Sequence, residues 1–310
     1  MSTGVTTGHR RARDRVIDRI RSDVRHPLPL SRMVSRDTIA TARTGPPMVE
    51  VSHLTKRFGD FVAVDDVSFD VAAGEVFGLL GPNGAGKTTV IHMVITLIPP
   101  TSGTARVAGL AVGRDDARIR AVLGYVPQAL SADGMLTGYE NLLIIAELVA
   151  LPRAERTRRV QEVLRQMELE PFADRMVRDY SGGMIRRLEV GQAILHRPRL
   201  LILDEPTVGL DPTARHSVWE AVETLRHTTG MTVLTTTHYM EEAEEYCERV
   251  AIMDRGRLAG IGTPAALKAS LGERGATLED VFTRVTADTT ESGGSYRDVR
   301  RLRRSITQHH

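Results

Sequence analysis

The chain has 310 residues, 41% of them hydrophobic, with a formal net charge of +2 and a single cysteine. This composition marks a globular protein able to bury a sizeable core, and its charge is too balanced to point to nucleic acid as a partner. One cysteine excludes an internal disulfide, argues against a cysteine-rich metal site and fits a reducing compartment.

Residues 1–47 carry ten arginines between Arg10 and Arg43 and four prolines, a composition that cannot form its own core. The segment is read as a disordered basic extension, or as an upstream start ahead of Met48. Val16, Ile17, Ile20 and Val24 nevertheless recur at helical spacing beside arginines, the pattern of a basic amphipathic helix that could lie on an anionic membrane. The basic stretch runs into Pro27 and Pro29 rather than into an apolar core, so no secretory signal is expected and the protein is placed in the cytoplasm.

From Val49 the pattern becomes strand-like: Val49 to Phe58, Phe61 to Val71, then the apolar run Val76 to Leu80. A glycine-rich loop follows, and Lys87 to Ile98 reads as a helix closed by Pro99 and Pro100. Residues from about Thr137 to Phe172 are periodic with charged faces and no evident strand, a helical insertion. Its most apolar stretch, Leu142 to Ala150, carries Glu147 and falls short of the roughly 18 to 20 apolar residues that cross a bilayer, so the chain itself is not expected to span a membrane. Strand signals return at Leu200 to Leu203, Thr232 to Thr236 and Val250 to Met253, separated by helical Pro212 to Arg226 and Met240 to Glu248. This alternation predicts an α/β domain with a mainly parallel sheet. Cys247 is expected as a half-buried thiol on the second of these helices. The expected division is an ordered domain over 48–285, a helical subdomain at about 129–180, and a flexible basic tail over 286–310.

Chemistry gathers at a few points. Gly81-Pro82-Asn83-Gly84-Ala85-Gly86-Lys87-Thr88 fits G-x-x-x-x-G-K-[ST] between an apolar strand and a helix, with Thr89 next. Glycines let backbone N–H groups curl around phosphates, the helix start adds positive potential, Lys87 reaches the β and γ oxygens and Thr88 ligates magnesium. Alone, this loop would suit a kinase, a GTPase or a helicase as well. Asp204 and Glu205 end a buried strand, the edge where parallel sheets bind ligands. Asp204 can hold the magnesium shell while Glu205 orients and deprotonates an attacking water, a task a kinase does not need. Tyr180-Ser181-Gly182-Gly183-Met184 precedes a further helical stretch, and by itself would be a turn and a helix cap.

Taken with Gln128 in Gly124-Tyr125-Val126-Pro127-Gln128, Gly209-Leu210-Asp211 and His238, these motifs make the chain from about 48 to 285 resemble the ABC ATPase family. The resemblance implies a P-loop NTPase fold with a mainly parallel core sheet, an antiparallel β subdomain and an α-helical subdomain. It implies ATP and Mg2+ as cofactors, with Thr88, Gln128 and Asp204 toward the metal. Phe58 would stack on adenine, Gln128 would meet the metal or the lytic water, His238 would hold the γ-phosphate beside catalytic Glu205, and Asp211 would couple two sites. It further implies a head-to-tail dimer in which Ser181, Gly182 and Gly183 of one copy complete the site of the other. The Ser181 to Met184 run, Thr207 to Pro212 and Leu278 to Phe282 look like the daunorubicin-resistance branch of ABC-2 exporters. On that likeness the chain is expected at the cytoplasmic face of the membrane, powering a separate integral ABC-2 type permease that exports a drug or other small hydrophobic molecule, with no specific nucleic acid partner. Met184 stands where the family most often has Gln, and Phe58 where Tyr is common. The alternative is a soluble ABC protein acting on ribosomes or DNA, which would ordinarily carry two fused ATPase units or a long coiled coil.

Overall fold

The computed structural model describes residues 45–273 and 275–288; the expected N-terminal extension, apart from 45–47, and the tail beyond 288 lie outside the described residues. Among the described residues ten strands form two sheets. In the first, β1 (Val49–Phe58), β2 (Phe61–Val71), β4 (Ser102–Val107) and β5 (Leu110–Ala111) pair antiparallel in the order β2-β1-β4-β5. In the second, β3 (Val76–Leu80), β6 (Leu123–Val126), β7 (Leu200–Asp204), β8 (Thr232–Thr237) and β9 (Arg249–Asp254) run parallel, and β10 (Arg257–Gly262) closes one edge antiparallel to β9, in the order β10-β9-β3-β8-β7-β6.

The apolar runs seen in the sequence are strands buried on both faces, as parallel strands covered by other layers must be. Side chains alternate across the sheet, so Val76 and Leu80 of β3 and Leu201 and Leu203 of β7 enter one core cluster. Phe77, Leu79, Leu200 and Ile202 enter the other. The first cluster is shared with α3 (Gly138–Leu148), α4 (Arg153–Gln166), α5 (Gly182–Ile194), α6 (Pro212–Thr229) and α7 (Met240–Tyr246). The second is shared with the antiparallel sheet, α1 (Lys87–Val94) and α2 (Asp116–Val122). Phe69 stacks on Phe77 with centroids 5.4 Å apart, which joins the two sheets. Among the described residues no helix is long and apolar enough to cross a membrane.

Three sequence expectations are corrected. The helix after the glycine loop ends at Val94, not Ile98. Thr96 takes a left-handed φ of 66° and the N–H of Leu97 reaches back to the carbonyl of His92, a Schellman closure ahead of the prolines. Helix α7 stops at Tyr246, and Cys247 is extended and buried rather than helical and half-buried. Burial pushes its thiol pKa up, which keeps it an unreactive apolar filler. Finally, α9 (Leu278–Asp288) continues through residue 286, where the flexible tail was expected to begin, after the short α8 (Pro264–Ser270). Between 129 and 180 the regular structure is α3, α4 and two 3-10 turns, Glu170–Phe172 and Val177–Asp179, with an isolated bridge between Thr137 and Met176 and irregular chain between them.

Candidate active site

The carboxyl ends of β3, β7 and β8 lie side by side, and each delivers one loop to the same place. Leu80 of β3 leads into 81–86, whose backbone demands glycine: Gly86 has φ 100°, and a Cβ there would meet the Ala63 carbonyl at 2.6 Å. Gly81 has φ 154°, and its Cβ would fall 2.3 Å from the Met253 carbonyl. The loop is thus wedged between β2 and the end of β9, with Asn83 and Gly84 exposed at its tip. Gly86 precedes α1 without a side-chain cap, and no acidic residue occupies the first turn. The N–H groups that open the helix are therefore left for an anion, and the helix dipole favours one there.

Lys87 folds back over this loop and is buried. Its Nζ donates to the carbonyls of Gly81 at 2.7 Å and Pro82 at 3.3 Å, and lies 3.2 Å from Glu205 Oε1. Glu205, 5% exposed, is the meeting point. The amide of Gln128 donates from Nε2 to Glu205 Oε2 at 3.1 Å, and His238 Nδ1 stands 3.4 Å from that same oxygen. Glu205 itself has a left-handed φ of 50°, and its N–H is held by the carbonyl of Thr236 at 3.1 Å and by Thr236 Oγ1 at 2.9 Å. Such a conformation costs about 1 to 3 kcal/mol and persists only where the surroundings enforce it. The turn aims the carboxylate along the sheet edge, toward Lys87.

One residue earlier, Asp204 is buried and accepts hydrogen bonds from Thr236 Oγ1 and, at 3.3 Å, Thr88 Oγ1. Tyr125 also points at this carboxylate; burial and the Asp204 charge push its phenol up to about 12, so it stays a neutral donor at any working pH. A hydroxyl and a carboxylate side by side are hard oxygen donors suited to Mg2+, which usually takes one or two protein ligands together with phosphate and water. Among the described residues no cluster of three or more His, Cys, Asp or Glu competes as a metal site.

The other sequence-predicted residues sit apart from this cluster. Ser181 caps α5, accepting the N–H of Met184 at 3.3 Å. Its glycines permit close packing on the start of α6: a Cβ on Gly182 would meet Leu210 at 2.9 Å and one on Gly183 would meet Ala214 at 3.0 Å. Asp211 caps α6 by accepting the N–H of Ala214 at 3.0 Å. Phe58 ends β1, is 47% exposed, pairs across the hairpin with Phe61 and carries Lys56 Nζ 5.1 Å from its ring centre. The hairpin tip is two residues along β2 from Ala63, which touches Gly86.

Sequence reasoning missed the residues that brace these groups. Arg186 of α5, buried, donates to the carbonyls of Pro127 at 2.8 Å and Gln128 at 3.0 Å, and pairs with Glu189 at 2.9 Å. Glu189 in turn accepts from the N–H groups of Ser131 and Ala132. The helix begun by Ser181 thereby grips the loop that carries Gln128. The Thr235-Thr236-Thr237 run inside an apolar strand was the one available signal for Thr236 and Thr237, since buried hydroxyls require partners.

An anion cradle, a buried ammonium, an oxygen pair for a cation, and a carboxylate flanked by amide and imidazole together can carry phosphoryl transfer to water. Comparison with known proteins agrees. Residues 64–208 match the family model described as ABC transporter. The chain is 42% identical over 225 residues to the linearmycin resistance ATP-binding protein LnrL of Bacillus subtilis (strain 168), covering 73% of this chain and 72% of that protein. It is 43% identical over 224 residues to the daunorubicin/doxorubicin resistance ATP-binding protein DrrA of Streptomyces peucetius, covering 72% and 68%. Against the Nod factor export ATP-binding protein I of Paraburkholderia xenovorans (strain LB400), identity is 43% and coverage 76% of each. Among solved structures, the ATP-binding subunit of an ABC transporter superposes with TM-score 0.68 at 32% identity, over 77% of this chain and 99% of that one. A dimeric ATP-binding cassette in a post-hydrolysis state with ADP and Pi superposes with TM-score 0.62 at 27% identity, over 70% and 98%. Fold, site geometry and relatives converge: this chain belongs to the ABC transporter family, as an ATP-binding subunit with the ATPase activity of that family.

Proposed function

We propose that this ATPase powers export through a separate integral membrane permease of the ABC-2 type, working at the cytoplasmic face of the membrane. Two copies close around ATP, and the permease handles a drug or another small hydrophobic molecule. The observation that carries the mechanism is the convergence of Lys87, Gln128 and His238 on Glu205, beside the Thr88–Asp204 pair. What supports export is that three relatives are named for export or for resistance to a compound.

In this reading the phosphates lie in 81–86 and over the first turn of α1, and Lys87 exchanges a loop carbonyl for a phosphate oxygen, the stronger acceptor. Thr88 and Asp204 would hold Mg2+, which supplies charge neutralisation to the phosphates. Gln128 and Glu205 orient a water, Glu205 accepts its proton, and His238 faces the γ-phosphate. Phe58 receives the adenine on its exposed ring. Ser181, Gly182 and Gly183 at the positive start of α5 complete the site of the facing copy, with Asp211 at the junction. Loss of the γ-phosphate removes the contact that distinguishes closed from open, so the dimer separates.

Export is tested by tagging the chain, extracting native membranes in mild detergent and identifying by mass spectrometry what co-purifies in stoichiometric amount. A multi-helix membrane protein is the expected partner. Ribosomal or DNA-repair proteins in its place would transfer the ATPase to the soluble branch of the family.

A further inference from the structure

Glu242 is a buried carboxylate, 6% exposed, in the first turn of α7, and the mechanism above gives it no task. Its two oxygens take hydroxyls from two different loops: Oε1 accepts from Thr207 Oγ1 and Oε2 accepts from Thr237 Oγ1 at 3.2 Å. Thr207 lies in the turn begun by the strained Glu205, where the N–H of Val208 reaches the carbonyl of Glu205 at 3.4 Å. Thr237 immediately precedes His238, and its hydroxyl also accepts the N–H of Tyr239 at 3.0 Å, so His238 sits inside a closed local turn. Both threonines are buried, at 1% and 2% exposure.

We infer that Glu242 is a positioning residue that ties the Glu205 turn to the His238 loop and sets the two side chains against each other. The inference rests on the roles proposed above for Glu205 and His238. The strain at Glu205 needs fixing from both sides: Thr236 supplies it through the backbone N–H, and Thr207 on Glu242 supplies it beyond the turn. A glutamine in place of Glu242 would offer one acceptor oxygen instead of two. With that oxygen kept on Thr207, the Thr237 hydroxyl loses the carboxylate that takes its proton, and a neutral amide contact in its place is the weaker tie.

Steady-state ATP hydrolysis by the full chain with Mg2+ tests this, using E242Q, T237V and the double variant. The expected result is a kcat about tenfold lower in each single variant, KM for ATP within about threefold of wild type, and a double variant no worse than the weaker single one, because both changes cut the same tie. Wild-type kcat in E242Q, or losses that multiply in the double variant, would overturn the inference. Thermal melts check folding; if E242Q does not fold, T207V and T237V carry the test with the same expected loss and are contradicted by wild-type rates. Absence of hydrolysis in the wild-type protein itself would overturn the Glu205 and His238 roles instead.

Discussion

Lys87 answers to three acceptors at once, two loop carbonyls and a carboxylate, and is buried among them. Its removal does two things that must be separated. Stripping one partner from a buried ion pair costs about 3 to 5 kcal/mol, a large share of the roughly 5 to 15 kcal/mol that holds a domain folded. The K87A variant is therefore expected to melt several degrees lower and, where still folded, to lose ATP affinity or turnover by at least two orders of magnitude. Titration with a fluorescent ATP analogue beside a thermal melt distinguishes the two; a folded K87A with normal steady-state turnover would count against the cradle. At this scale the sequence was legible wherever a motif fixes both residue and neighbour: Lys87 and Thr88 by their loop, Asp204 and Glu205 by the end of an apolar strand. Thr236, Glu242, Arg186 and Glu189 were not, because each bonds to a group that is remote in the chain or hidden in its backbone, and such pairings leave no periodic trace.

Helix α5 starts at the Ser181 cap, and its far end is held by two residues, one of which titrates. Arg159 donates to the carbonyls of Ile194 at 2.6 Å and Leu195 at 2.8 Å, completing that end. Just beyond, His196 Nε2 bonds the carbonyl of Leu123 on β6 at 2.9 Å. Burial lowers the His196 pKa, the Leu123 carbonyl opposes the shift, and nearby Arg159 adds to it. A histidine whose folded pKa lies below its unfolded value contributes stability that is complete above about pH 6.5 and is lost as pH falls below it. Denaturant unfolding between pH 8 and pH 5 should therefore show wild-type stability falling more steeply on acidification than that of H196Q, and parallel curves would contradict this. Elements of this kind were readable where apolar residues keep one period, as in β1, β2, β3 and β7. They were missed where the period breaks down. In β4 the first three residues are exposed and only Ala105 and Val107 are buried. Strand β6 follows α2 with no turn between them. Helix α1 looked longer because Ile95, Leu97 and Ile98 continue its apolar pattern past the Thr96 turn.

At the scale of the whole molecule, the division between the Glu205 cluster and the Ser181 turn carries the most weight. The α/β fold with its parallel sheet followed from strand and helix alternation in the sequence, and the motifs implied where its chemistry sits. That Ser181, Gly182 and Gly183 pack on Leu210 and Ala214 needed the packed chain, since it depends on how α5 meets α6. In the proposed function a second copy faces this turn, with ATP between the two. In that proposal hydrolysis ends the contact, so a variant that binds ATP without cleaving it should hold it. The most direct test is sedimentation of E205Q with and without ATP and Mg2+, alongside the same variant carrying S181A. The account predicts a dimer for E205Q with ATP, monomer without it, and at least a tenfold weaker dimer once Ser181 is removed. E205Q that hydrolyses ATP at the wild-type rate, or stays monomeric at saturating ATP, would contradict the central claim.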